Sequence, residues 1–208
     1  MCKFWGRKFR PTNSFYTLDD CSALCCDLYY INNKLIDFYC KALRIFLDAV
    51  DGKIHAVLIG NDIGSQLCTM ISADAIAEFV IPGAKKLVDI AHEYRVKVIY
   101  HSCGSIPPAI PMLIDIGVDV IHPIQALAAG MDPQNLKDTF GEKLSFCGDV
   151  DTQLLLPGGT PGEIAAKVRE LRDIFPTGLI ISPSHEALLP DVPPENVKAM
   201  FDEVGKVY

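Results

Sequence analysis

The chain has 208 residues, 50% of them hydrophobic and 22% charged, which gives enough length and apolar content for one large buried core. A net charge of −7 argues against nucleic-acid binding, the one basic cluster being Lys3, Arg7, Lys8 and Arg10. That cluster lies among Phe4, Trp5 and Phe9 without the apolar stretch of an export signal, and no apolar run reaches membrane-spanning length. The expectation is a soluble cytoplasmic protein that engages neither nucleic acid nor membrane.

Residues 1–32 are aromatic, rich in cysteine and weakly patterned, and read as an atypical leader ahead of a domain over 33–208. Five of the eight cysteines, Cys2, Cys21, Cys25, Cys26 and Cys40, fall in the first 40 residues. Cys21-x-x-x-Cys25-Cys26 has no second pair and no nearby histidine, so it reads as reduced thiols rather than a metal knuckle. From Asn33 to Val50 the pattern is one amphipathic helix, with Leu35, Tyr39, Leu43, Phe46 and Val50 on a face.

Beyond residue 55 short apolar runs alternate with helical patterns. The runs are Ala56–Gly60, Val96–Tyr100, Val118–Ile121, Leu144–Cys147 and Leu179–Ile181, and near-continuous runs of this length suit parallel strands covered on both faces. Ser72 to Tyr94 is helical in pattern but interrupted by Pro82-Gly83, which predicts two helices, the second burying Leu87, Val88 and Ala91. Ile110, Leu113 and Ile114 precede Gly117. Asp132-Pro133 opens a helix that Gly141 closes. Thr160-Pro-Gly-Glu163 is a capping box leading into Ile164, Val168, Leu171 and Phe175 at helical spacing. Val197, Met200 and Phe201 belong to a last helix.

Five β-then-α units in about 150 residues have the spacing that parallel crossovers require, and the class is α/β: a doubly wound sheet or a (β/α)8 barrel. No Gly-x-Gly-x-x-Gly is present, which counts against the nucleotide-binding version. Polar residues follow the strands at Asn61-Asp62, His101-Ser-Cys103, His122-Pro-Ile-Gln125, Gly148-Asp149-Val-Asp151 and Ser182-Pro-Ser-His185-Glu186. Five such loops meeting at one mouth is the layout of a barrel enzyme. Eight units would need about 240 residues, so the expectation is an incomplete barrel with about five carboxyl-terminal units.

His101 and Cys103 are two residues apart at the end of a β-branched run, so a strand sends both to one side, and imidazole with thiolate is a zinc donor pair. A packed histidine beside a buried cysteine is the alternative. Asp62, Asp149 or Asp151 would orient a ligating imidazole, or serve as helix caps and turn residues. His122 either lines the pocket or packs in the core. Cys147, inside a strand run, reads as core, and His55 and His92 lie away from the mouth.

Taken in order, Gly60-Asn-Asp62-Ile-Gly-Ser-Gln66, His101-Ser-Cys103-Gly104, Gly148-Asp149-Val-Asp151-Thr-Gln153 and Ser182-Pro-Ser-His185-Glu186-Ala-Leu-Leu-Pro190-Asp191 resemble the uroporphyrinogen decarboxylase superfamily, in its branch of zinc-dependent corrinoid methyltransferases. The resemblance implies a (β/α)8 barrel whose first strands have no counterpart here, so that a missing amino-terminal half is a possible partner and the isolated chain an inactive fragment in one reading. It implies a zinc site in which His101 and Cys103 match two ligands, while His185 or Glu186 stands where a later cysteine would fall. It further implies methyl transfer from a corrinoid (methylcobalamin) carried by a partner protein to a small thiol. Asp62, His185, Glu186, Asp149 and Asp151 are then the expected catalytic residues, with Gln66, His122, Gln125 and Gln153 lining the substrate pocket. The alternative within the same superfamily is cofactor-free uroporphyrinogen decarboxylation in porphyrin biosynthesis, with Asp62 and His185 positioning the tetrapyrrole. That reaction needs cations for several carboxylates, and these loops hold almost none.

Overall fold

The computed structural model describes residues 18–206, with side chains from Asp27 onward. The thiols of Cys21, Cys25 and Cys26, and the leader before residue 18, lie outside the described residues. Five strands, β1 (Ala56–Gly60), β2 (Lys97–His101), β3 (Val120–Ile124), β4 (Ser145–Val150) and β5 (Leu179–Pro183), form one sheet in the order β1-β2-β3-β4-β5. The pairings of β2 with β3, β3 with β4 and β4 with β5 are parallel. A sheet whose spatial order follows chain order is the wall of a barrel rather than a doubly wound sheet, in which the order reverses. No helix among the described residues is long and apolar enough to cross a membrane.

Two compact units are distinguished by their internal contacts. The described part of the first runs to Ile59 and includes Ile71–Val98 and Pro108–Gly117. Its helix α1 spans Leu18–Val50, starting well before the expected Asn33, because no proline or glycine interrupts the chain between Pro11 and Gly52. It ends where Asp51 and Gly52 adopt φ of 49° and 71°.

The face it buries also differs from expectation. Leu47 is 2% exposed, and Ile36, Cys40, Leu43 and Val50 are partly buried beside it, whereas Leu35, Tyr39 and Phe46 are exposed at 51%, 53% and 48%. Apolar residues lie all round this helix, so periodicity alone allows several faces, and packing selects among them. Gly83 makes the selection visible: a Cβ there would lie 2.7 Å from Ile36 Cδ1. Polar contacts fix the same face, with Asn32 donating to the Phe79 carbonyl (2.9 Å) and Arg44 paired with Glu93 (2.6 Å).

The stretch predicted as two helices is continuous. It runs through α2 (Ala73–Ala75), a π-helical turn (Ile76–Val80) and α3 (Ile81–Glu93). Pro82 cannot donate to a carbonyl four residues back, and the wide turn, in which Ile81 N–H bonds to the Ile76 carbonyl, absorbs it without a break. Val88 and Ala91 are fully buried and Leu87 partly so, as expected. A short helix α4 (Ile110–Asp115) follows before Gly117.

The second unit comprises Gly60–Met70, Ile99–Pro107 and residues from Val118 onward. It holds α5 (Pro133–Phe140), α6 (Leu155–Gly158), α7 (Pro161–Ile174) and α8 (Pro194–Val204). Val150, Leu156, Ile164, Val168, Leu171, Val192 and Met200 make its core. Asn196, 1% exposed, donates to the carbonyls of Leu156 and Gly159 (both 2.8 Å) and so pins the start of α8 to α6. The capping box of α7 forms as expected: Thr160 Oγ1 accepts from Glu163 N–H (3.3 Å), and Glu163 accepts from Thr160 N–H (2.7 Å), which holds its carboxyl below the usual range. Thr160→Ala is expected to cost about 1 kcal/mol in urea-melt stability through loss of the cap.

Candidate metal centre at the strand ends

Every residue of the centre lies in the second unit. Tyr100 is buried at 1% exposure, and its hydroxyl, pushed up to about 12 by burial, donates to Asn61 Oδ1 (2.9 Å). This contact holds the turn that carries Asp62. Two residues on, the strand period returns the chain to the same buried side. Ser102 is fully buried; its hydroxyl accepts from Ile63 N–H (3.1 Å), and its own N–H reaches the His122 carbonyl (2.8 Å). His101 and Cys103 flank it and meet on the other side, with Nε2 3.7 Å from Sγ.

Asp62 Oδ1 closes this group, accepting from Cys103 N–H (2.8 Å) and lying 3.3 Å from His101 Nε2. From the loop after β5, Glu186 Oε2 reaches 4.0 Å from His101 Nε2 and 3.7 Å from His185 Nε2. One ligand atom each from Asp62, His101 and Cys103 lie within 4.8 Å of one another, and the same holds for Cys103, His185 and Glu186. Cys103 is thus shared by two triads. The expected set of His101, Cys103 and His185 is divided between them, with Asp62 completing the first and Glu186 the second.

Behind His101 stands His122, 9% exposed, its Nδ1 2.8 Å from Nδ1 of His101. Burial, and then the neighbouring His101, lower its pKa. Of the two places open to it, pocket lining or core, His122 takes a nearly buried position behind the cluster. Gln125 is likewise committed, its Oε1 accepting from Gly104 N–H (2.6 Å). Gly104 has a φ of 82°, and a Cβ on it would stand 2.6 Å from the Ser65 carbonyl oxygen. A Cβ on Gly60, at φ 138°, would fall 2.2 Å from the His101 carbonyl oxygen, and one on Gly64 2.6 Å from that of Cys103.

The remaining expected residues take other positions. Asp149 is fully buried, with its carboxylate 3.4 Å from Lys167 of α7. Gly148 and Asp149 have φ of 122° and 78°, a left-handed kink that departs from strand alternation and accounts for its facing α7. Asp151 accepts from the N–H groups of Gln153 (3.1 Å), Leu154 (2.7 Å) and Leu155 (3.0 Å), the work of a helix cap rather than of a site carboxylate. Gln153 and Gln66 are exposed, the latter offering its carbonyl to Ala129 N–H (2.9 Å). Sequence reasoning missed Tyr100 and Ser102. The period-two argument that joined His101 to Cys103 carried the signal for Ser102, since the residue between them must point inward.

The electrostatics favour a cation. Burial, then Asp62 and Glu186, push the Cys103 thiol up to about 11, and among the described residues that form the cluster there is no lysine or arginine. Thiol, imidazole and carboxylate donors converge at the carboxyl ends of parallel strands, which defines a barrel-type α/β protein with a candidate metal centre at its mouth.

Residues 32–207 match the uroporphyrinogen decarboxylase (URO-D) family, and the chain belongs to it. Over 116 residues it is 28% identical to a methylated-thiol–coenzyme M methyltransferase of Methanosarcina mazei, covering 56% of this chain and 29% of that protein. Its fold is similar to that of a methyltransferase from Methanosarcina mazei (TM-score 0.63, 21% identity, 80% of this chain and 47% of the other). It is also similar to the IOLI protein solved with a bound zinc atom (TM-score 0.51, 15% identity, 79% and 66%). The chain therefore spans under a third of the curated relative and about half of the methyltransferase structure.

Proposed function

We propose that this chain carries a zinc centre for methyl transfer to a thiol, with a corrinoid protein as methyl donor. The observation that carries the reading is the position of Cys103, one thiol common to two triads whose other members are imidazoles and carboxylates. These are zinc donors, and three of them leave room for an exogenous thiol. Bound there, zinc would supply Lewis acidity that lowers the pKa of a coordinated thiol to give a thiolate near neutral pH. The chain's own residues prepare for this. Asp62 fixes the main chain at Cys103 through its hydrogen bond, and Tyr100 fixes the turn that carries Asp62. His101 offers Nε2 beside Cys103, whereas His185 Nδ1 accepts from Ala187 N–H (3.1 Å), so His185 contributes a lone pair once that bond is released. Asp62 and Glu186 give the cluster negative charge that a dication would relieve.

The same charge weighs against a tetrapyrrole bearing several carboxylates, which would meet these two acids without a balancing cation. The activity for which the relative is named, on methylated thiols and coenzyme M, fits the thiol side of the reading. The test is metal analysis of the purified chain together with incubation of the zinc-loaded protein with methylcobalamin and coenzyme M. One zinc per chain and formation of the methylated thiol are expected. Absence of zinc, or cofactor-free conversion of uroporphyrinogen, overturns the reading.

A further inference from the structure

An imidazole that ligates through Nε2 must carry its proton on Nδ1, and that proton needs an acceptor. In most metal sites a carboxylate or a carbonyl provides one. Here both carboxylates of the cluster, Asp62 and Glu186, lie on the Nε2 side of His101, at 3.3 and 4.0 Å. The atom within hydrogen-bond reach of Nδ1 is Nδ1 of His122, at 2.8 Å, the two ring centroids lying 5.0 Å apart. His122 is 9% exposed, and its own carbonyl is anchored by Ser102 N–H (2.8 Å), so its position follows from the pairing of β2 with β3. Between two neutral imidazoles that meet Nδ1 to Nδ1 there is room for one proton, and its location decides which lone pair each ring offers.

We infer that His122 is a positioning residue that accepts the Nδ1 proton of His101 and thereby presents the His101 Nε2 lone pair to the space shared with Cys103. It touches no substrate. Its role is to orient a second histidine from behind and to set that ring's tautomer. Asp62 opposes it, since a proton on Nε2 would be attracted to that carboxylate. His122 allows the proton to be held on the far nitrogen instead. The inference rests on the metal-centre reading proposed above, and its test separates the two.

Histidine-labelled protein, held about two units above the ordinary imidazole pKa of about 6.5 so that both rings are neutral, is read by nitrogen NMR with and without zinc. Without zinc, a through-hydrogen-bond coupling between Nδ1 of His101 and Nδ1 of His122 is expected, and its absence overturns the inference. With zinc, His101 is expected to carry its proton on Nδ1, and a proton on Nε2 overturns it. Zinc affinity, measured by chelator competition, is expected to fall about 10–100-fold in His122→Phe. His122→Asn, whose amide oxygen takes the place of Nδ1 as acceptor, is expected to restore it to within a few-fold. Equal affinity in His122→Phe and wild type, or failure of His122→Asn to rescue, overturns the inference. If the wild type takes up no zinc, the functional reading fails, and the ring that carries the shared proton in the zinc-free protein, read from its one-bond coupling to Nδ1 of His101 or of His122, decides the inference by itself.

Discussion

Cys103→Ala is expected to remove stoichiometric zinc from the protein, with affinity falling by more than about 100-fold, beyond the loss usual for an outer partner of a ligand. The size of the effect follows from the sharing of one sulfur. Without it the two triads become the pairs Asp62 with His101 and His185 with Glu186, and two donors do not retain zinc. Neighbouring substitutions sharpen the comparison. Cys68, exposed in the loop after β1, and Cys147, buried in β4 with its thiol 3.4 Å from the Ser182 hydroxyl, belong to neither triad, and alanine at either is expected to leave zinc content unchanged. Metal analysis and chelator competition measure both outcomes. A thermal melt of Cys103→Ala guards against unfolding, which is not expected because the side chain is only partly buried. Full zinc content in that variant would remove the metal centre from the account.

The second large effect concerns stability. Burial raises the Asp149 carboxyl from 3.8 to about 7, against a partial lowering by Lys167. Burial wins because both carboxylate oxygens are shut away from water, while the ammonium is partly exposed and also serves Glu170 at 3.2 Å. A carboxyl whose folded pKa lies above its unfolded one binds its proton more tightly when folded. Its contribution is full below about 3.8 and is lost as pH rises through about 7. Asp149→Asn keeps the shape, tolerates the φ of 78° and does not ionise. The variant is therefore expected to gain on the wild type as pH rises across that window, by up to about 4 kcal/mol, or roughly ten degrees of melting temperature in a chain of this size. Urea midpoints of both proteins at a series of pH values test this. Parallel curves would show that Asp149 does not titrate in the window.

The strands were legible because each is a β-branched or apolar run, although only β3 and β4 are buried along nearly their whole length, while Leu58 of β1 and Ile180 of β5 are exposed at 59% and 51%, against the expected cover on both faces. The face of α1 was not, since Leu35 and Ile36 are equally apolar and the choice between them falls to tertiary contacts, the approach to Gly83 and the polar pairs of Asn32 and Arg44. Pro82 signalled a break that the wide turn before it made unnecessary. At the centre, the side-by-side arrangement of His101 and Cys103 followed from strand periodicity alone. His185 and Glu186 were placed at the mouth by following a strand, but their role as ligands entered only through family resemblance, because nothing local to their loop says where it returns. The strand-end rule failed at Asp149, where two positive φ angles in succession reverse the direction a strand would give. Gln125 was read as pocket lining and His122 as pocket lining or core, and each turns one polar atom, Gln125 Oε1 and His122 Nδ1, to a neighbour in the protein, a commitment that depends on which loops lie side by side.

At Gly60, Gly64 and Gly104 the loops of the centre meet through peptide groups with no side chain between them. The joints themselves are made by backbone, and the side chains that brace them, such as Asp62 and Gln125, are additions to that contact. Exchanging a carboxylate for an amide, or an imidazole for a thiol, alters which ion or molecule is held while leaving the bearing surfaces where they were. A fold joined in this way can acquire a new chemistry one substitution at a time, and adding a single methyl group at one of the three joints would disturb it more than any of those exchanges.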